Sequence, residues 1–308
     1  MKRQIIVISL VLAGGVFFWG YNFYTSFGKE VGLVSPGIEG GKVANNLWLP
    51  KLIFGTAPQV YPEITAKSAY FVDIDTGQVL YEKNPEIKLP IASLTKIMTA
   101  IVALENRRMD EKLEVSMRAS QMEPDAMFLK AGERLTVEEL LYGIFLVSGN
   151  DAAEVLAEKV LGDRESFIAQ MNAKAKQIGM NDTYLINPSG LQEDDKEQYS
   201  TAYDIALMSR YAIRYFPRLT EISSTPHIVL PQSPFHQEYN LYSGINLLTT
   251  YPGVKGFKTG YTPEAGLTLV TYAQKDDKRI IGVLLSSQNR REEARELLDY
   301  SFAKLDTI

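Results

Sequence analysis

Ser93 and Lys96, in the run Ser93-Leu94-Thr95-Lys96, stand three positions apart where a segment with helical periodicity begins. Residues i and i+3 share one face of a helix, so the Lys96 amine can reach the Ser93 hydroxyl. Such a pair suits nucleophilic acyl transfer, because burial lowers an amine's pKa and a neutral lysine can take the serine proton. A helix N-terminus adds free backbone N–H groups and a positive dipole end, both favourable to negative charge on the hydroxyl and on the carbonyl it attacks. Other nucleophiles and bases are scarce. The chain has no cysteine, which removes thiol catalysis, disulfides and cysteine-ligated metals together. Its two histidines, His227 and His236, fall in or just beyond the Pro-rich stretch Ser224 to Pro234. They read as solvated loop residues rather than as a triad member or a zinc pair.

Ser-x-x-Lys alone is weak, since a chain of this size holds about one by chance. Further copies stand at Ser26 with Lys29 and at Ser301 with Lys304, and Ser287-Gln288-Asn289 is a stray Ser-x-Asn. Ser93 differs in its ordered company, Ser148-Gly149-Asn150 and then Lys258-Thr259-Gly260, the only Lys-Thr-Gly in the chain. Each triplet also has a plain structural reading. Asn150 or Ser148 could cap a helix beginning near Ala152. Lys258 to Gly260 could close an ordinary strand.

The elements that must position these residues follow from periodicity. Ser68 to Ile74 and Gln78 to Tyr81 are β-rich runs about the turn Asp75-Thr76-Gly77, a hairpin. Ala92 to Asn106 is helical, with Ile97, Ile101 and Leu104 on one face. Further helices are expected at Val137 to Leu146, Ala152 to Leu161, Ser166 to Ile178 and Thr201 to Tyr215. The last carries a possible capping box, Thr201 with Asp204, and is ended by Pro217. Leu267 to Ala273 and Ile280 to Ser286 form a second hairpin about Lys275-Asp276-Asp277-Lys278, followed by a helix from Arg291 to Lys304. Strands at both ends with helices between them predict an α+β fold in which the terminal strands join one largely antiparallel sheet.

Composition bounds the function. With 308 residues, 45% hydrophobic and 22% charged, the chain can bury one large core or two modest ones. A net charge of −5, with basic residues scattered among acids, excludes a broad nucleic-acid-binding face. Lys2 and Arg3 precede an uncharged stretch from Gln4 to Gly28, so residues 1–28 are expected to be an export signal, more simply an uncleaved membrane anchor than a cleaved leader. Residues 29–64 read as a stalk and 65–308 as the catalytic domain.

The three motifs resemble the active-site set of the penicillin-binding proteins and serine β-lactamases. The surrounding runs are similar to the low-molecular-mass D-alanyl-D-alanine carboxypeptidases: Pro90-Ile-Ala-Ser-Leu-Thr-Lys-Ile-Met98, Val147-Ser-Gly-Asn-Asp-Ala-Ala153, Asn187-Pro-Ser-Gly-Leu191, Tyr199-Ser-Thr-Ala202 and Gly256-Phe-Lys-Thr-Gly-Tyr-Thr262. The resemblance implies the transpeptidase-like fold of that superfamily, a mostly antiparallel sheet flanked by helices with a helical subdomain. It implies no cofactor, peptidoglycan stem peptides as substrate, and β-lactam antibiotics as covalent inhibitors. It further implies that Ser93 attacks the penultimate D-alanine carbonyl, Lys96 takes the proton, Ser148 relays one to the leaving amine, and Asn150 binds the substrate amide. Lys258, Thr259 and Gly260 would line the substrate, backbone N–H groups of Ser93 and Tyr261 would form the oxyanion hole, and Arg290 would meet the substrate carboxylate unless Arg291 does. Many relatives carry a later β-rich domain and an amphipathic C-terminal helix. The sequence here stops soon after the last catalytic helix, so membrane attachment is expected through the N-terminal segment. That departure keeps an endopeptidase cutting D-alanyl cross-links as the alternative, with a β-lactamase or an inactive wall-binding module as weaker rivals.

Overall fold

The runs Ser68–Asp73 and Lys278–Ser287 carry apolar side chains at consecutive positions, the pattern of strands covered on both faces. The computed structural model, which describes residues 61–193 and 196–307, sets them side by side within a five-stranded sheet. β1 (Ser68–Asp73) and β2 (Val79–Lys83) make the first expected hairpin. The short ribbon strands β3 (Lys112–Glu114) and β4 (Arg134–Thr136), and likewise β5 (His227–Leu230) and β6 (Tyr239–Tyr242), pair outside that sheet. β7 (Val254–Thr262) is one of its edges, and β8 (Gly266–Lys275) with β9 (Lys278–Ser287) is the second expected hairpin. The order is β2-β1-β9-β8-β7, with every pairing antiparallel.

Strand alternation sorts the core into two layers. Tyr70, Val72, Val270, Tyr272, Val283 and Leu285 face the helical layer, while Ala69, Phe71, Leu269, Ala273 and Leu284 face the other side. The helical layer comprises α1 (Thr95–Asn106), α2 (Val137–Leu146), α3 (Asn150–Lys159), α4 (Arg164–Gln177), α5 (Ala202–Tyr215) and α6 (Pro217–Ser223). A short turn of helix, α7 (Leu247–Thr250), precedes β7, and α8 (Arg290–Asp306) covers the opposite face through Leu297, Leu298 and Phe302. α1 is buried on every side from Thr95 to Ala103, which makes it the axis of the helical layer.

Several expectations need correcting. The helix expected from Ala92 begins as a 3-10 turn, Ala92–Leu94, before α1 takes over at Thr95. The helices expected from Ala152, Ser166 and Arg291 start earlier, at Asn150, Arg164 and Arg290. Pro217 ends α5 but also opens α6, a position where its missing N–H costs nothing. Thr201 caps α5 by accepting from Asp204 N at 3.0 Å, but the reciprocal arm of the box is absent. The Asp204 carboxylate instead accepts from Asp182 N at 2.9 Å and Thr183 Oγ1 at 2.7 Å.

The histidines are not both solvated loop residues. His227 lies in β5, exposed and stacked on Tyr242. His236 is only 8% exposed, with Nδ1 donating to Gln237 O at 2.7 Å and Nε2 3.3 Å from Glu139. The prolines of this stretch flank β5 instead of interrupting it, so Ile228 and Leu230 can turn inward.

The expected anchor, and the stalk as far as residue 60, lie outside the described residues. Residues 61–64 are held to the body, with Tyr81 Oη donating to Pro62 O at 2.9 Å and Lys83 Nζ to Ile64 O at 2.7 Å. Among the described residues no helix is long and apolar enough to cross a membrane.

Candidate active site

The backbone around Ser93 is strained and tightly packed. Ala92 has φ of 49°, a left-handed conformation that costs a non-glycine residue roughly 1–2 kcal/mol. Two neighbours make room for the turn. At Gly190, itself at φ +86°, a Cβ would lie 1.9 Å from Ala92 O. At Gly260 of β7 a Cβ would lie 2.9 Å from Ser93 N and 2.6 Å from Thr268 Oγ1. Thr268 of β8 adds a bond from Oγ1 to Ile91 O at 3.2 Å. Ser93 in the 3-10 turn and Lys96 in the first turn of α1 fall on one face, so their side chains meet as their spacing predicts.

Lys96 is fully buried, and its amine has three hydrogen-bond partners. Asn150 Oδ1 is 2.7 Å away, Ser189 O 2.8 Å and Ser93 Oγ 2.8 Å. The amide and carbonyl oxygens can only accept, whereas the serine hydroxyl can donate or accept. A neutral Lys96 therefore spends its two N–H bonds on Asn150 and Ser189 and aims its lone pair at the Ser93 hydroxyl. Burial pushes the Lys96 amine well below its ordinary pKa, and the charge of Lys258 adds to that, against an opposing effect of Asp125 and Asp151.

Ser148-Gly149-Asn150 joins α2 to α3, and Ser148 is a second left-handed non-glycine residue, with φ of 61°. The capping reading does not hold: α3 starts at Asn150, Gly149 occupies the cap without a side-chain bond, and the Asn150 side chain is turned to Lys96. Asn150 N instead bonds Asp125 O at 2.7 Å. Its neighbour Asp151 is buried, and its carboxylate accepts from Met127 N and Leu129 N, both at 3.0 Å.

Lys258 comes to the same turn from β7, donating to Ser148 Oγ at 3.0 Å and to Thr259 O at 2.8 Å. Burial, opposed by Asp125 and helped by Arg290, brings its pKa down to about 7. Arg290, at the start of α8, donates from Nη1 to Gly260 O at 2.6 Å and Thr268 O at 3.2 Å. It braces the strand while lining, with Thr259, Leu269, Arg291 and residues 244–247, a cleft beside β7. Tyr261 is exposed at the end of the same strand. Phe145 of α2 and Phe257 of β7 meet edge to face at 5.5 Å between ring centroids, fixing the two walls to each other.

Thus Ser93, Lys96 and Asn150 form one hydrogen-bonded group and Ser148 with Lys258 another, joined through the Ser148–Asn150 turn. Among the described residues two decoys have other partners: Lys304 Nζ donates to Leu80 O at 2.9 Å and Ser287 Oγ to Glu293 at 2.6 Å; Ser26 and Lys29 lie outside the described residues. The motifs alone did not reveal the Ser189 carbonyl, Thr268 or Asp151. Ser189 is presented by a turn in which Asn187 Oδ1 accepts from Gly190 N at 2.7 Å, and Asn-Pro-Ser-Gly is a turn sequence that marks the bend without showing what it faces.

Residues 55–289 match the family described as D-alanyl-D-alanine carboxypeptidase. The D-alanyl-D-alanine carboxypeptidase DacF of Bacillus subtilis is 38% identical over 250 residues, which is 79% of this chain but 63% of that protein, so the chain spans less than two thirds of that relative. DacB2 of Mycobacterium tuberculosis, of the same description, is 32% identical over 79% of this chain and 84% of its own length. Among solved structures, the D-alanyl-D-alanine carboxypeptidase DacD of Francisella tularensis superposes with a TM-score of 0.73 at 32% identity, over 83% of this chain and 74% of that one. A variant of the Streptomyces K15 DD-transpeptidase gives 0.74 at 30% identity, over 79% and 99%.

Proposed function

The chain belongs to the D-alanyl-D-alanine carboxypeptidase family, and from that premise we propose that it is a serine hydrolase removing the terminal D-alanine of peptidoglycan stem peptides through an acyl-enzyme on Ser93. The observation that carries this reading is the Lys96 amine, buried, lowered in pKa and left by two pure acceptors with its lone pair for the Ser93 hydroxyl.

In acylation, Ser93 Oγ bonds to the carbonyl carbon of the penultimate D-alanine as Lys96 takes the hydroxyl proton. Backbone N–H groups of Ser93 and Tyr261 hold the developing oxyanion. The C–N bond then breaks, and the proton returns through Ser148 to the departing D-alanine nitrogen. Lys258, 3.0 Å from Ser148 Oγ, keeps that hydroxyl oriented and lends positive charge to the side on which the leaving carboxylate lies, with Thr259 and Arg290 beside it. Water then attacks the ester, again giving its proton to Lys96, and Ser93 is released. Penicillins, whose strained amide offers the same carbonyl, acylate the same oxygen. Export and membrane attachment rest on Lys2, Arg3 and the uncharged stretch that follows them.

Fluorescent penicillin should label the full-length chain covalently, and Ser93→Ala should lose the label while unfolding at the same temperature; a label that survives refutes the nucleophile. Pentapeptide should yield free D-alanine. Cleavage of cross-linked muropeptides without D-alanine release would replace the carboxypeptidase with the endopeptidase.

A further inference from the structure

Glu293 is a buried carboxylate, 7% exposed, in the first turn of α8. A helix N-terminus favours acidic side chains, but the exposed neighbour Glu292 already meets that preference. Taking a carboxylate out of water is costly unless its oxygens are satisfied, so its burial calls for a further reason. Among the described residues its partners are hydrogen-bond donors, not cations: Thr65 N, Thr65 Oγ1 at 2.6 Å and Ser287 Oγ at 2.6 Å. A carboxylate only accepts, so both hydroxyls turn their protons towards Glu293 and keep lone pairs for the backbone. Thr65 Oγ1 accepts from Gln288 N at 2.9 Å, and Ser287 Oγ accepts from Asn289 N at 3.0 Å. Glu293 N closes the group on Asn289 O at 3.1 Å. Residues 287–289, which link β9 to Arg290, are thus all tied to one side chain. The same corner distorts the sheet. Leu267 pairs with Ser287 and Leu269 with Leu284, so Leu285 and Ser286 of β9 stand opposite Thr268 alone, and Ser286 has φ of 55°. Such bulges re-aim a chain, and strained residues persist where their surroundings over-determine them. Lys67 N donates to both bulge carbonyls, Leu285 O at 3.1 Å and Ser286 O at 3.3 Å. Across the bulge, Thr268 O accepts from Arg290 Nη1 at 3.2 Å, and the same nitrogen bonds Gly260 O at 2.6 Å.

Resting on the carboxypeptidase reading above, we propose that Glu293 is a positioning residue: with Thr65 it fixes the turn at 287–289 so that Arg290 stands against Gly260 and Thr268 and meets the carboxylate of the leaving D-alanine. Glu293, one turn further along α8 and buried, acts through Arg290, which lines the cleft beside β7. Without an acceptor at 293 the two hydroxyls lose the partner that orients them. The N–H groups of Gln288 and Asn289 then lose fixed acceptors, and the guanidinium that follows them loses its fixed approach to the strand. A charge-assisted hydrogen bond depends steeply on geometry, so recognition of the carboxylate suffers while the rest of the substrate is held as before.

The test compares an acetylated tripeptide ending in D-alanyl-D-alanine with its C-terminal amide, using the full-length chain and reading release of D-alanine or D-alaninamide. A guanidinium on the carboxylate should make the parent prefer the acid by about thirtyfold in kcat/KM. Glu293→Ala should reduce that preference to about threefold, mainly by raising KM for the acid. Glu293→Gln, whose Oε1 can still accept both Thr65 bonds, and Thr65→Val should both fall between. A general loss of stability lowers both substrates together and leaves the ratio unmoved. In an Arg290→Gln background, adding Glu293→Ala should lower the preference no further, whereas independent, additive losses would overturn the assignment. A parent without the preference, or an unchanged ratio in Glu293→Ala, also overturns it. Should Glu293→Ala fail to fold, an unchanged ratio in both Glu293→Gln and Thr65→Val does the same. A parent that cleaves neither substrate overturns the carboxypeptidase reading itself, and this assignment with it, before any variant is compared.

Discussion

Lys96 and Lys258 are both buried amines, and the proposed mechanism gives them opposite tasks. Lys96 would act as the base only when neutral, so its lowered pKa brings the rising limb of activity down towards neutrality. Lys258 would act as a charge, and its pKa of about 7 makes that charge vanish as pH rises through neutrality. Because kcat/KM reports the free enzyme, D-alanine release should fall above about pH 7 as Lys258 loses its proton. Lys258→Arg replaces it with a group that stays protonated, so the falling limb should move beyond pH 9 even though total activity drops, as a pH profile of kcat/KM would record. A limb that stays near 7 would mean that another group governs it. At this scale the sequence was informative: Ser93, Lys96, Ser148, Asn150 and Lys258 were legible because each motif fixes residue type and local spacing. The Ser189 carbonyl was not, since a backbone acceptor leaves no mark on residue identity.

At the scale of elements, the proposed nucleophile Ser93 depends on a close approach between two turns far apart in sequence. Gly190 combines φ +86° with a position where a Cβ would lie 1.9 Å from Ala92 O. Gly190→Ala should therefore cost about 2 kcal/mol or more in stability and displace the Ala92–Ser93 turn. The measurement is penicillin acylation well below the unfolding temperature, where a tenfold or greater slowing is expected; an unchanged rate would show that the turn keeps its shape without this contact. Hairpins and most helices were legible, because their periods run over many residues. The ribbons of β3 with β4 and β5 with β6 were not, since strands of three or four residues are too short to show alternation. The Thr201 and Asp204 pattern was half right, because a tertiary partner, Asp182 N, competes for the Asp204 carboxylate.

At the scale of the molecule, α1 is the shared support of the site, and it is held by a buried ion pair. Lys174 of α4 lies 2.7 Å from Glu105 of α1, which also accepts from Tyr211 Oη of α5 at 2.6 Å. Lys174→Met should destabilise the protein by about 3–5 kcal/mol, because it leaves a buried carboxylate without its cation. Adding Glu105→Met should recover part of that loss, and denaturant unfolding of the two single variants and the double would show the coupling. Independent, additive costs would deny the pair a joint role. Sequence by itself determined the chemistry and the antiparallel α+β plan, because nucleophile spacing, turn residues and hydrophobic period are local properties of the chain. Only the tertiary structure decided which Ser-x-x-Lys is buried against an asparagine and a carbonyl. It also turned Asn150 away from capping, buried His236 against Glu139, and bonded Arg290 to the backbone of the strand it braces. These depend on what lies across the fold, and burial, which shifts the two lysines, is a property of the packed chain alone.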